Sequence, residues 1–223
     1  MRYFLLVALL VSFVPAQADI LKDFDSLGGN DKLINRAKAL EPNKDIEIVQ
    51  NRVVKRKFRS EFSAGYNNIV GGDAFVQTQM LNLNYHFHIN PRWTVGASYF
   101  SAFNQLSSEG ETLINQDDLV PDVDSAKAGY EIVGNYSPIY GKLNVFNQGV
   151  VQFDIYGLIS LGNIQLRSGE TNTYSLGAGI GLWISQHLTT RMEIRQRFYE
   201  AKRFGGSTDM EITSLGFSFG YML

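Results

Sequence analysis

The chain has no cysteine among its 223 residues, so neither a disulfide framework nor a thiolate metal or redox centre is open to it. It has no basic excess: 20 Lys and Arg stand against 22 Asp and Glu, which argues against a nucleic-acid binder. It carries no long block of like charges. It also lacks an apolar run long enough to cross a membrane comfortably as a helix, since the longest, Tyr3 to Val14, falls well short of that length. What remains is a chain that is 44% hydrophobic and 19% charged. That suits one folded domain of moderate size, or one domain with a short extension.

The apolar run has a different use. Arg2 precedes it, and Pro15 and the small-x-small pattern Ala16-Gln17-Ala18 follow it. A basic start, an apolar middle and a small-residue cleavage site make a signal peptide over residues 1–18. The rival is an uncleaved anchor. With no cysteine after the site, a lipoprotein is excluded. Residues 19–57 are charged and helix-like. Ile20, Leu21, Phe24 and Leu27 fit one helical face that stops at Gly28-Gly29. Leu33, Ile34, Ala37 and Leu40 fit a second that stops near Pro42. Such pieces are too short to stand alone. They make a periplasmic extension that either lies on the domain or meets a partner.

From Phe58 the apolar period changes from helical spacing to two, the signature of strands. Eight segments alternate. In the second, Leu81, Leu83, Tyr85, Phe87 and Ile89 oppose Asn82, Asn84, His86 and His88. In the sixth, Leu176, Ala178, Ile180, Leu182 and Ile184 oppose Ser175, Gly177, Gly179 and Gly181. In the eighth, Leu215, Phe217, Phe219, Tyr221 and Leu223 oppose Ser214, Gly216, Ser218, Gly220 and Met222. The segments are expected near residues 58–67, 75–90, 92–104, 127–137, 148–161, 173–185, 188–201 and 214–223. An even set of long antiparallel strands can close on itself and so abolish its edges.

Periodicity does not say which face points inward. Lysine helps to decide. After Lys57 only Lys127, Lys142 and Lys202 remain, whereas a water-facing barrel surface is normally studded with Lys and Glu. The less apolar face is mostly Gly, Ser, Asn and Thr with a few charges of both signs, which suits a cramped lumen. Long odd-to-even connections are expected at 68–74, 105–126, 162–172 and 202–209. Tight even-to-odd turns are expected at 89–93 and 185–188, with the approach to the fifth strand as the exception. The reading is an all-β fold: an eight-stranded antiparallel up-and-down transmembrane β-barrel over 58–223, with a short helical or irregular N-terminal periplasmic extension. Phe87, Trp93, Tyr136 and Tyr221 fall at strand ends on the periplasmic side, where an aromatic girdle belongs.

The stretches "RKFRSEFSAGYNN", "NYHFHINPRWTVGASY" and "SPIYGK", with the last strand, resemble small bacterial outer-membrane β-barrel proteins of the OmpA/OmpX-like size class. More narrowly, they resemble the outer-membrane β-barrel domain proteins of Bdellovibrio- and Myxococcus-like bacteria. The resemblance covers roughly residues 45–223. It implies location in the outer membrane of a Gram-negative bacterium, with membrane lipid and lipopolysaccharide as surroundings. It also implies that Leu215, Phe217, Phe219, Tyr221 and Leu223 form the closing strand and the signal read by the barrel-assembly machinery. Such signals usually end in Phe, and this one ends in Leu223.

Candidate chemistry is sparse. His86 and His88 share one strand face, but no third metal ligand is spaced nearby, so neither metal nor cofactor is expected. Gly177, Gly179 and Gly181 lie inside a strand, which fits close packing better than a phosphate loop. Asp117, Asp118, Asp122 and Asp124 in the longest loop form either a solvated loop or a cation site without EF-hand spacing. Arg191, Glu193, Arg195 and Arg197 point inward. With Arg59, Glu61, Glu131 and Asp154, and with His86 and His88 as lumen polar groups, they make a network that either plugs the lumen or gates a narrow pore. No nucleophile, base and acid can be placed together, so a non-enzymatic envelope or surface-interaction role leads. A small gated pore and a lipid-modifying enzyme are the alternatives.

Overall fold

The computed structural model describes residues 39–40, 54–117, 119–145 and 149–223. The expected signal peptide, and the extension up to residue 53 apart from Ala39 and Leu40, lie outside the described residues. Eight strands follow in order: β1 (Arg59–Gly71), β2 (Val76–His88), β3 (Trp93–Leu106), β4 (Ala126–Val145), β5 (Gly149–Leu166), β6 (Glu170–Trp183), β7 (Leu188–Arg203) and β8 (Gly206–Met222). One helix, α1 (Ser108–Asp117), lies between β3 and β4. Each strand pairs antiparallel with the next, and β8 pairs with β1, so the sheet closes as the alternation predicts.

Closure fixes the tilt. A walk from Ser60 through successive partners Phe87, Val95, Gly134, Ile159, Leu176, Gln196 and Thr213 returns to β1 at Gly71. That is eleven residues further along, one of them absorbed by the register slip between Ile69 and Gly71. The strands therefore lean strongly to the barrel axis, and eight of them enclose a space that side chains can fill.

Alternation puts the apolar set outside. Leu81, Ile132 and Phe217 are 53%, 73% and 41% exposed, while Glu61, Glu131 and Asp154 are at most 1% exposed. On four of the strands the outer face changes from apolar to polar toward the upper end. On β2 it runs from Phe87 to Leu81 and then meets Gln79; on β5, Ile159 and Leu161 give way to Asn163. On β6, Leu182 to Tyr174 are followed by Asn172, and on β8, Tyr221 to Leu215 are followed by Thr213. Eight tilted residues at ~3.3 Å rise make an apolar band about 20 Å tall, close to the height of a membrane barrel's belt.

The connections differ from expectation. Three of the four predicted long links are short, at 72–75, 167–169 and 204–205, because β1, β5, β7 and β8 continue their ladders further. Only 107–125 is long, and α1 occupies part of it. The "SPIYGKLNV" approach belongs to β4, which a bulge between Tyr136 and Ile139 lets run on to Val145. At the upper end, strand length takes the place of loop length.

Candidate functional site

The lumen is filled from the lower rim, where Val54 and Leu223 lie, to the upper end that carries α1. The chain approaches β1 through the mouth. Val54 and Arg56 are buried there; the Val54 amide donates to Gln152 Oε1 at 2.7 Å, and Arg56 Nη1 donates to Asp154 Oδ2 at 2.6 Å. The Arg56 guanidinium lies 5.0 Å from the ring centroids of Tyr140 and Trp183. A turn then carries the chain back to the wall: the Arg59 amide donates to the Arg56 carbonyl, and Phe58 adopts φ 58°. That left-handed conformation is unusual for a bulky residue. It separates Arg56, turned inward, from Phe58, turned out over Phe87 with ring centroids 6.4 Å apart.

The sequence placed Arg59 in the lumen network. It stands instead at the rim, where its guanidinium donates to the carbonyls of Lys55, Gln186, Met222 and Leu223. It ties the β1–β8 seam to the neighbouring turn. Chain ends and turns leave carbonyls unpaired, and a rim guanidinium with five donors suits them.

Above the mouth, Glu61 accepts from Arg191 Nε at 3.0 Å, Arg191 Nη2 at 2.7 Å and Thr189 Oγ1 at 2.8 Å. His88 Nε2 is 2.8 Å from Glu61 Oε2, and His88 Nδ1 is 3.1 Å from Thr94 Oγ1. A second layer joins Glu193 to Arg195 at 2.7 Å, Arg195 to Glu131 at 2.5 Å and Glu131 to Arg197 at 2.7 Å. Tyr156 donates to Glu193 at 3.1 Å. In these layers and the mouth, guanidiniums Arg56, Arg191, Arg195 and Arg197 meet carboxylates Glu61, Glu131, Asp154 and Glu193. Opposite charges with shared hydrogen bonds are what make buried ions tolerable. The β4–β5 wall facing them is apolar: Val133, Tyr156 and Leu158 pack together, and the Arg191 guanidinium lies 5.2 Å from the Tyr156 ring centroid.

Sequence reasoning missed the next layer. Met80, Phe100, Ile164, Leu166, Tyr199 and Ile212 form an apolar stopper at the upper end of the lumen. Arg197 joins it to the ions, with its guanidinium 4.4 Å from the Phe100 ring centroid. The available signal was on β5, where Ile164 and Leu166 put apolar side chains at inward positions beside Asn163 and Gln165. Above the stopper, Asp124 accepts from the Ser168 amide and hydroxyl and the Lys202 amide, and Asp122 accepts from the Phe204 amide. These carboxylates tie the long loop across the barrel top rather than standing solvated.

His86 lies inside beside Arg191 and Arg195, in a pocket of about 20 Å³ that Asn82 and Asn84 also line. That is room for roughly one water. The histidines diverge: His88 is engaged by Glu61 and Thr94, while His86 Nδ1 is buried without a hydrogen-bond partner. The β6 glycines make space for lumen neighbours. A Cβ on Gly179 would meet Tyr156 at 2.5 Å, and one on Gly181 would meet Asp154 Oδ1 at 2.2 Å. Leu215, Phe217, Phe219, Tyr221 and Leu223 all face outward. Phe87, Trp93, Tyr136 and Tyr221 lie near the lower rim, Trp93 against Tyr136 with centroids 4.6 Å apart.

The fold and its interior define the class: a closed eight-stranded antiparallel barrel with an apolar outer wall and a filled lumen. Solved structures similar to it include the N-terminal β-barrel domain of Pseudomonas aeruginosa OprF, at 10% identity over 74% of this chain and 98% of that one, with TM-score 0.38. Ail, the attachment invasion locus protein of Yersinia pestis, matches at 12% identity over 75% and 99%, with TM-score 0.37. Neisserial surface protein A matches at 11% identity over 74% and 95%, with TM-score 0.42. No family model and no curated protein matches the chain.

Proposed function

We propose that the chain is a non-enzymatic outer-membrane barrel of a Gram-negative bacterium with a structural or surface-interaction role, of the OmpA/OmpX-like size class and akin to Bdellovibrio- and Myxococcus-like barrel proteins. The carrying observation is the orientation of the wall, apolar outward over about 20 Å with charges enclosed. The lower rim then faces the periplasm, where residues 19–53 reside after export, and the α1 end faces outward. Mouth plug, ion layers and stopper in series favour a closed lumen over a pore. Thr94, His88 and Glu61 are connected like a hydroxyl–imidazole–carboxylate set, but they are 6%, 1% and 0% exposed. That burial, and the hold of Arg191 on Glu61, speak against a catalytic role for the set. The closing strand from Leu215 to Leu223 is the segment we assign to the barrel-assembly machinery, and Phe87, Trp93, Tyr136 and Tyr221 form the periplasmic girdle.

The test is gel mobility of boiled and unboiled protein extracted from membranes. A folded form that shifts on boiling, with a protease-resistant core matching residues 54–223, supports the reading. A chain that stays monomeric in buffer without detergent and is digested throughout overturns it.

A further inference from the structure

The outer wall is not uniformly bulky. On the face formed by β8, β1, β2, β3 and β4, Ala64 and Ala97 lie at outward positions among Phe62, Leu83, Tyr99 and Ile132. They floor an open depression of about 800 Å³. A second depression continues it up the wall across Ala64, Leu83 and Tyr99 to Leu81 and Ser101. The groove therefore runs along the barrel's height. Its apolar walls suit a hydrocarbon chain.

The lower mouth of the groove has a charge. Below it come Phe87 and Val95, and then Phe58, stacked on Phe87, and Trp93. Lys57, exposed, places Nζ 5.0 Å from the Phe58 ring centroid, and exposed Arg92 immediately precedes Trp93 in the β2–β3 turn. Exposed Lys55 precedes the turn at Phe58, with its amide on Gln186 Oε1. Among the described residues of this rim, the side-chain carboxylates are Glu61 and Asp154, and both are buried in the lumen against arginine. At the opposite end exposed side chains of both signs stand together, Lys127, Arg167 and Lys202 with Glu109, Glu111, Glu170, Glu200 and Asp209. Among the described residues, the rim at the groove's mouth thus carries exposed basic side chains without exposed acidic ones.

Resting on the membrane reading above, we propose that this groove is a binding site for an anionic glycerophospholipid of the periplasmic leaflet. One acyl chain lies over Ala64 and Ala97, and the phosphodiester meets Lys57 and Arg92. Each cation near a membrane surface favours anionic over zwitterionic headgroups severalfold. Two of them are expected to give roughly a tenfold preference, weakened by salt.

Trp93 reports on the site directly, because it is 53% exposed at the mouth while the other tryptophan, Trp183, is 0% exposed in the lumen. The full chain is reconstituted in phosphatidylcholine vesicles containing a small fraction of phosphatidylglycerol or phosphatidylcholine with brominated acyl chains. Brominated phosphatidylglycerol is expected to quench Trp93 at roughly tenfold lower mole fraction. The preference should vanish in Lys57→Gln/Arg92→Gln and in Ala97→Phe, which fills the floor and leaves the charges. Equal quenching by both lipids in the native chain overturns the site. So does a preference that survives either variant. Disulfide-linked dimers of Ala97→Cys, the sole thiol in such a chain, would assign the groove to a second copy instead. Absence of quenching by any brominated lipid, even at high fraction, would sink the membrane reading itself.

Discussion

At the residue scale the lumen charges are unequal. Arg197 is 2% exposed and its ion pair is with Glu131. Arg195 has both Glu131 and Glu193. Glu131→Ala therefore strands Arg197 beside Phe100 and Met80 and is expected to cost about 3–5 kcal/mol. Glu193→Ala leaves Arg195 bound to Glu131 and should cost about 1 kcal/mol. Urea midpoints of the two variants in detergent or vesicles give the comparison; a larger loss for Glu193→Ala would refute the order of the layers. Parity alone placed Glu61, His86, His88, Glu131, Asp154 and the β7 charges inside, because a side chain two residues from an inward one is also inward. It misplaced Arg59, which has the right parity but sits where the wall ends. Arg56 was invisible for a different cause. It belongs to no alternating segment, and only the turn at Phe58 aims it into the mouth.

At the element scale, length was the illegible quantity. Alternation marked every strand, yet β4 runs eight residues past its expected end at 137, and β8 starts eight residues before its expected start at 214. On β8 the extra residues carry polar outward positions such as Thr213 and Glu211, which above the apolar band look like loop; on β4 they lie past the bulge at the lower end. Backbone pairing continues there because the opposing strand continues, and hydropathy does not record that. The β7–β8 hairpin depends on its turn. Gly206 has φ 116°, so Gly206→Val is expected to destabilise by about 1–3 kcal/mol. A boiled-versus-unboiled gel series over temperature checks it, and an unchanged transition would contradict the turn geometry. Deleting Gly216–Leu223 removes β8 partners from both β7 and β1 along the lower half of the wall. The truncated chain is expected to yield no heat-shifting band in membranes, and normal insertion would refute the closing role of this strand.

At the scale of the whole molecule, the question is whether anything passes through. The obstructions are in series: Arg56 between Tyr140 and Trp183 at the mouth, then Glu61 with Arg191, then Glu131 with Arg195 and Arg197, then the stopper from Met80 to Ile212. Obstructions in series act independently, so the least permeable one sets the conductance. Arg56→Ala frees Asp154 and loosens the mouth, but every layer above it keeps its own partners. Planar-bilayer recordings of the native chain are expected to lack discrete current steps, and Arg56→Ala is expected to stay equally silent. Opening needs the apolar stopper removed together with the charges beneath it, since ions leaving Glu131 would next meet Phe100, Ile164 and Leu166. Regular steps in the native chain would mean that the layers part together on the recording timescale. Steps in Arg56→Ala alone would put the gate at the mouth and make the segment before β1 its moving part.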